Sequence, residues 1–358
     1  MGLYIHIPFC RKKCFYCDFY SRPYCKVQAG DYLAALSRQL DGCEYRFSSV
    51  FVGGGTPTVL SDIQLSGLLN AAGKKKTIDG EFTVEANPES LTAEKIKIMR
   101  DCGVNRLSVG VQSFNDKKLK KLGRIHDAAA AQEKIFLAHK RGFKNISLDL
   151  IFGVWGESLS VWKNDLTAAA ALPVQHISAY ALSYEKNTPL SRMVIQKKAD
   201  RLPDTRVAAM YKLAMSFLPA QRFLQYEVSN FALEGFECRH NLNYWDNGEY
   251  LGLGPCAASY VGGVRSRNCA RLSDYVKRVN LGKSVIVAQE KLSEEKSKRE
   301  AAAVKIRTAA GIDAGPFFRK EIDTLLKRGL VEFCRNRRGI RLTQKGFIFC
   351  DEVSTALV

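Results

Sequence analysis

Six apolar, β-branched runs recur through the first half of the chain: LYIHI (3–7), SSVFV (48–52), EFTVEA (81–86), RLSVGV (106–111), NISLDLI (145–151) and HISAYAL (176–182). Each is too short for a stable helix and rich in residues that suit a pleated surface, so each predicts a strand. The segments 31–43, 61–76, 92–102, 128–141 and 160–171 carry apolar residues at helical spacing. Strands that alternate with helices of this length need crossover connections, and crossovers make a parallel sheet. Six units rather than eight predict an α/β fold, a partial (β/α)6 barrel. Ligands in such folds bind at the carboxyl ends of the strands. Those ends are polar or glycine-rich here: GGGTPT (53–58) after the second strand, EANPES (85–90) at the third, GVQSF (110–114) at the fourth and DLIFG (149–153) at the fifth.

The first strand leads into HIPFCRKKCFYCDFYS, with Cys10, Cys14 and Cys17 at spacing C-x3-C-x2-C. A closed zinc site or an all-cysteine iron–sulfur cluster takes four protein ligands. Three thiolates leave one metal position for a group that is not protein. The other eight cysteines are scattered, and the total of 11 is odd. With no export signal and no apolar run near the roughly 18 residues of a membrane span, this usage predicts a reducing, cytoplasmic setting. The net charge of +18 favours acidic partners. No segment interleaves basic runs with stacking aromatics, so a nucleic-acid groove is not expected.

The cysteine spacing, Tyr16 before the last cysteine, and a glycine-rich loop one strand later resemble the radical SAM superfamily. That resemblance implies a [4Fe–4S] cluster on Cys10, Cys14 and Cys17, with S-adenosylmethionine (SAM) on the open iron and cleavable to a 5′-deoxyadenosyl radical. It implies cofactor contacts from Tyr4 on the first strand, Tyr16, Gly54, Gly55 and Thr56. Glu85 would meet a ribose or ammonium, Gln112 a polar edge, Arg124 the methionine carboxylate and Asp149 a ribose hydroxyl. Ala181, at the end of the sixth strand, completes the set. Glycines at 53–55 would let backbone approach the ligand closely, and His6 would brace the cysteine loop.

YIHIPFC, FVGGGTPT, GVQSF, LGRIH and LDLIFG further resemble the coproporphyrinogen III dehydrogenase family. Its dehydrogenase branch, HemN, has the signature C-x3-C-x2-C-x-C and a longer amino-terminal arm. Here Phe19 stands where the extra cysteine would be, and nine residues precede Cys10. RHNLNYW (239–245) resembles the HNxxYW motif of the other branch, the HemW heme chaperones. The resemblance implies His240 as an axial heme ligand, with Tyr244 and Trp245 beside the macrocycle and Cys238 as an alternative ligand. The expected function is a heme-binding chaperone that passes heme, a transient cargo, to respiratory or other hemoproteins, including recipients at a membrane surface; a homodimer fits this reading. Two alternatives stay open: a porphyrinogen-oxidising radical enzyme of the dehydrogenase type, and a DNA-associated protein. Two stretches depart from the family pattern: GVWGES, with Trp155 and Glu157, and GLGPCAAS, with Cys256 and Ala258.

The expected domains are a radical SAM barrel (1–231), a connecting segment (232–290) and a winged-helix-like carboxyl-terminal domain (291–358). In the last, 294–310 and 316–328 read as helices and 330–343 as a hairpin turning at 336–339. A final helix runs from Gln344. Arg335, Arg337, Arg338 and Arg341 make the wing basic.

Overall fold

A computed structural model describes residues 1–313, 318–334 and 339–358. The six expected strands are present as β1 (Gly2–Ile7), β2 (Phe47–Gly54), β3 (Lys76–Ala86), β4 (Arg106–Gln112), β5 (Ile146–Phe152) and β6 (His176–Ala181). They pair in that order, all parallel, within one twelve-stranded sheet. The pairing of β1 with β2 runs from Gly2↔Ser49 to Ile7↔Gly54. Side chains alternate across a strand. Leu3, Ile5 and Ile7 are fully buried in the main apolar cluster with Tyr32 and Leu36 of the first helix. Tyr4 and His6 therefore point to the other face, into the barrel. The fold is a partial α/β barrel.

The first helix begins five residues earlier than expected, at Lys26, and runs to Asp41. Its buried stripe starts at Ala29 and continues through Tyr32, Ala35, Leu36 and Leu40. Gly30 faces open space and is tolerated inside it. The segment 232–290 contributes strands to the sheet. Tyr250–Leu253 pairs in parallel with the outer edge of β1, and Ala258–Val261, Val264–Asn268 and Ile286–Lys291 extend that edge antiparallel. Beyond β6, Asn230–Ala232 and Leu224–Gln225 close the other edge antiparallel.

A second apolar cluster, with Ile306, Ile322, Leu325, Ile340 and Val353, organises the carboxyl-terminal part. Helices Glu294–Lys305 and Arg319–Lys327 pack with a three-stranded sheet of Ile312–Asp313, Gly339–Leu342 and Val331–Phe333. This is a winged-helix-like arrangement. The expected final helix is two, Gln344–Ile348 and Cys350–Leu357, broken at Phe349. The helix start at 316, the turn at 336–338, and Arg335, Arg337 and Arg338 lie outside the described residues. Arg341 pairs across the hairpin with Glu332 at 2.8 Å. Among the described residues no helix is long and apolar enough to cross a membrane.

Glu227 joins the sheet to the carboxyl-terminal part through a bridge to Thr308, beside a bond from the Ala309 N–H to the Tyr226 carbonyl of 2.9 Å. It is fully buried, and its Oε1 accepts from the Ser229 N–H at 3.2 Å. Burial pushes its carboxyl up from 4.5 to about 7. Between those values the folded chain holds a proton that the unfolded chain has lost, so stability falls as pH rises through the window. The loss is on the order of 3 kcal/mol. Glu227→Gln is expected to flatten this part of the slope and to raise stability at pH 8 over wild type, as read by urea unfolding at several pH values.

Candidate functional site

The cysteine loop is tied down on three sides. The Tyr24 N–H bonds the Cys10 carbonyl, the Phe15 N–H bonds the Leu122 carbonyl, and the Leu190 N–H bonds the Phe15 carbonyl, at 2.8–3.1 Å. Gly123, at φ +77°, leaves room for the Phe15 ring, which lies 2.9 Å from where a Cβ would stand. That contact docks the loop against the segment carrying Arg124. His6 braces the loop as expected: its Nε2–H donates to the Tyr20 carbonyl at 2.8 Å, so its Nδ1 accepts from the Tyr4 hydroxyl at 3.0 Å.

Cys10, Cys14 and Cys17 face one cavity of about 450 Å³ at the carboxyl ends of the strands. A volume of this size suits a nucleoside-sized ligand, since such sites run from about 300 to 1,000 Å³. Tyr16, Gly54, Gly55 and Thr56 line it, as do Glu85 and Gln112. Arg124, Asp149 and Ala181 complete its wall. The structure thus brings together all but two of the expected site residues. Tyr4 lies one layer below, bonded to His6.

The second absentee is His240. It sits beside Gly2 and Ser49, at the amino-terminal ends of β1 and β2, and is 1% exposed. Ser49 Oγ lies 2.9 Å from its Nδ1 and Tyr244 Oη 3.2 Å from its Nε2. The ring stacks on Phe51 at 5.1 Å. Burial pushes it down to about 3, so it is neutral. In this conformation both nitrogens are occupied, and the expected open axial ligand is not presented. Cys238 is also buried; its thiol donates to Glu81 at 3.5 Å, and burial pushes it up to about 12. Tyr244 packs edge-on against His240, and Trp245 lies near the Arg307 guanidinium. Glu81 anchors the short helix Arg239–Trp245 by accepting from the N–H groups of Arg239 and His240.

The glycine-rich loop also packs tightly against the protein itself. A Cβ on Gly53 would lie 2.7 Å from the Glu85 carboxyl, and one on Gly54 2.4 Å from the His6 ring. One on Gly55 would meet the carbonyls of Phe9 and Ile7 at 2.5 and 2.7 Å. These glycines let the loop close on the protein's own strand. The Gly54 N–H donates to Glu85 at 3.0 Å. Burial first, then the nearby Asp149, pushes the Glu85 carboxyl up to about 7. Burial also raises Asp149. Gln112 ends β4 at φ +68°, where the ladder to β5 shifts register. Such strain is held only where the surroundings over-determine it.

The sulfurs have polar neighbours. Arg124 Nη1 lies 3.3 Å from Cys14 Sγ, and Thr56 Oγ1 lies 3.6 Å from Cys10 Sγ. Burial raises the thiols of Cys10 and Cys17, the latter to about 11, so a bound cation has to supply the charge that deprotonates them. Three cysteine sulfurs lining one cavity, with donors beside two of them, are the donor set that an iron–sulfur cluster takes. Sequence reasoning missed Asn87, Ser108, Gly110 and Tyr180, which also line the cavity. Asn87 was visible in EANPES but carried no spacing signal.

The two departures from the family pattern lie behind the cavity wall. Glu157 forms a buried ion pair with Lys118, which also reaches Asp165 at 2.9 Å. Asp165 in turn accepts from Ser113 Oγ and the Phe114 N–H, fixing the turn after Gln112. The Trp155 carbonyl accepts from Lys121. Cys256, at φ +62°, bonds the Cys269 carbonyl through its N–H and does not line the cavity.

Residues 4–167 match the family profile described as Radical SAM superfamily. The chain is 34% identical to the heme chaperone HemW of Bacillus subtilis (strain 168), across 99% of this chain and 98% of that protein. It is 35% identical to the heme chaperone HemW of Lactococcus lactis subsp. lactis (strain IL1403), across 96% and 93%. Of solved structures, coproporphyrinogen III oxidase (HemN) from Escherichia coli, a radical SAM enzyme, superposes with a TM-score of 0.86 at 22% identity, covering 99% of this chain and 89% of that one. That likeness speaks to the fold.

Two glycines separate tight packing from mere helix membership. Gly55→Ala is expected to destabilise the chain by about 1–3 kcal/mol, because its methyl meets backbone that cannot withdraw. Gly67→Ala, with nothing within 4 Å of the new methyl, is expected to stabilise it by roughly 0.5–1 kcal/mol. Urea unfolding of both variants checks the contrast.

Proposed function

This chain belongs to the HemW family of radical SAM proteins, and from that membership we propose that it is a heme-binding chaperone with a [4Fe–4S]–SAM site, delivering heme to respiratory or other hemoproteins. The observation that carries the cofactor half is the placement of Cys10, Cys14 and Cys17 on one cavity, with Arg124 and Thr56 beside two of the sulfurs. The heme half rests on the relatives, named heme chaperones, that match along nearly the whole chain.

In this reading the three cysteines hold the cluster and leave one iron for SAM, and the pair supplies one-electron chemistry at the sulfonium. The chain's own residues do the rest. Arg124 sets positive charge beside Cys14. Glu85 and Asp149 put carboxyls on the cavity floor, where a ligand's ribose and ammonium are accepted. Gln112 is fixed by its strained backbone. Heme ligation by His240 requires the Tyr244 hydroxyl to leave Nε2 and the helix Arg239–Trp245 to swing off the sheet. The SAM site and the heme ligand therefore occupy opposite ends of the barrel.

Hemin titration followed at the Soret band tests the heme half. His240→Phe keeps a ring against Phe51 and removes both nitrogens. Wild type is expected to bind hemin, and the variant to lose the histidine-ligated spectrum while still unfolding cooperatively. Equal binding removes the ligand assignment; no binding by either removes the chaperone reading. Turnover of coproporphyrinogen III by the reconstituted protein would put the enzymatic reading in its place.

Glu85 gives the cofactor half a pH signature. Its carboxyl is neutral below about 7 and ionised above. Affinity of the anaerobically reconstituted protein for SAM, a cation at the sulfonium, is expected to rise as pH passes upward through 7. Glu85→Gln is expected to bind more weakly at pH 8 and to lose this step, as measured by equilibrium binding between pH 6 and 8.

A further inference from the structure

We propose that Asn87 is a positioning residue that sets the reduction potential of the cluster by holding two of the donors that face its cysteine sulfurs, Thr56 and Arg124. The inference rests on the reading above, that a [4Fe–4S] cluster occupies Cys10, Cys14 and Cys17. Asn87 touches no sulfur itself. Its carboxamide Oδ1 accepts from Arg124 Nη2 at 2.5 Å, and its Nδ2 donates to Thr56 Oγ1 at 2.8 Å. The orientation of the amide is fixed by its partners, because a guanidinium only donates.

Each contact has a consequence one atom further on. Arg124 Nη2 also donates to the Gly110 carbonyl at 2.7 Å. Its two hydrogens are thereby used, the guanidinium plane is set, and Nη1 is left facing Cys14 Sγ at 3.3 Å. On the other side, Thr56 accepts from Asn87, so its hydroxyl hydrogen is free to point at Cys10 Sγ, 3.6 Å away. The result is one continuous belt: Cys10, Thr56, Asn87, Arg124, Cys14. Only a side chain with a donor and an acceptor side by side closes it. Aspartate lacks the donor, and alanine lacks both. Gly110 makes room for the belt, since a Cβ there would stand 2.7 Å from Asn87 Oδ1.

Hydrogen bonds to cluster sulfurs and positive charge beside them favour the added electron, and so raise the potential. Loss of Asn87 frees Arg124 to turn away from Cys14 and lets Thr56 reorient. Both changes move the potential the same way, downward.

The test is a potentiometric titration of the anaerobically reconstituted full chain, followed by the electron paramagnetic resonance signal of the reduced cluster. Asn87→Ala is expected to shift the midpoint to more negative potential at wild-type iron and sulfide content. In a Thr56→Val background, the shift from Asn87→Ala is expected to shrink, because half of the belt is already gone. An Asn87→Ala midpoint equal to wild type at equal iron content overturns the proposal, as does a shift of full size in the Thr56→Val background. If Asn87→Ala fails to hold iron, Asn87→Asp carries the same test, since it keeps the acceptor for Arg124 and loses the donor to Thr56; an unchanged midpoint there overturns the proposal. A wild type that takes up no cluster overturns the underlying reading and this inference with it, and that outcome is distinct from an unmoved midpoint.

Discussion

A narrow parallel barrel turns every second side chain inward, and here most inward positions are polar. Glu81, Arg106 and His176 are buried in that interior, and Glu85 and Asp149 stand half-buried where it opens into the cavity. The apolar residues of the same strands face the helices and form the main core. Polar groups at such depth must satisfy one another or change their charge. Burial moves several of them toward the neutral form: Glu85 and Asp149 are raised and His176 is lowered. Burial alone would push Arg106 down; Cys238, Glu81, Tyr226 and Asp149 around it hold it above its ordinary value. One guanidinium thus stays charged among several acids. The cavity floor is acidic because the barrel interior is, and Arg106, with Arg124 at the cavity wall, offsets the Asp149 carboxyl there.

How much of this was legible in the sequence follows from the same geometry. The six strands were readable because their outward residues are continuous apolar runs, and the cavity residues were readable because they follow those runs. Twelve of the fourteen expected site residues, which the resemblance to the radical SAM superfamily implied, line one cavity. What failed to read was anything decided by neighbours distant in the chain. The glycines of GGGTPT suggested space for a ligand, but not that their missing Cβ atoms also make space for His6, Glu85 and the carbonyls of Ile7 and Phe9. Tyr250–Leu253 looked like part of a connection, because a four-residue strand with a glycine at its third position carries little signal; its partner is β1. Asn87 had no motif, because its importance lies in spanning two residues thirty-odd positions away on either side. HNxxYW named a histidine but not its surroundings, and it is the surroundings that occupy both its nitrogens.

Those surroundings link the two ends of the molecule. Rings follow one another through the barrel in the order Tyr250, Tyr244, His240, Phe51, Tyr4, His6, Tyr20, with successive centroids 4.5 to 6.4 Å apart. All lie within the range in which aromatic pairs attract. The file begins on the strand Tyr250–Leu253, passes through Tyr244 and His240 of the HNxxYW helix, and ends where His6 grips the cysteine loop. His240 is therefore a packed ring in the interior as well as a bearer of two nitrogens. Truncating it to alanine would empty the space under Phe51 and Tyr4, and cavities of ring size cost about 3–5 kcal/mol. A deficit seen in such a variant would mix lost ligation with a slackened interior that reaches the cysteine loop. Replacement by phenylalanine keeps the file filled and leaves only the Ser49 and Tyr244 hydroxyls short of a partner, a penalty of about 1–3 kcal/mol each. The chemistry of the nitrogens and the mechanics of the ring are separable only by a substitution that respects the packing.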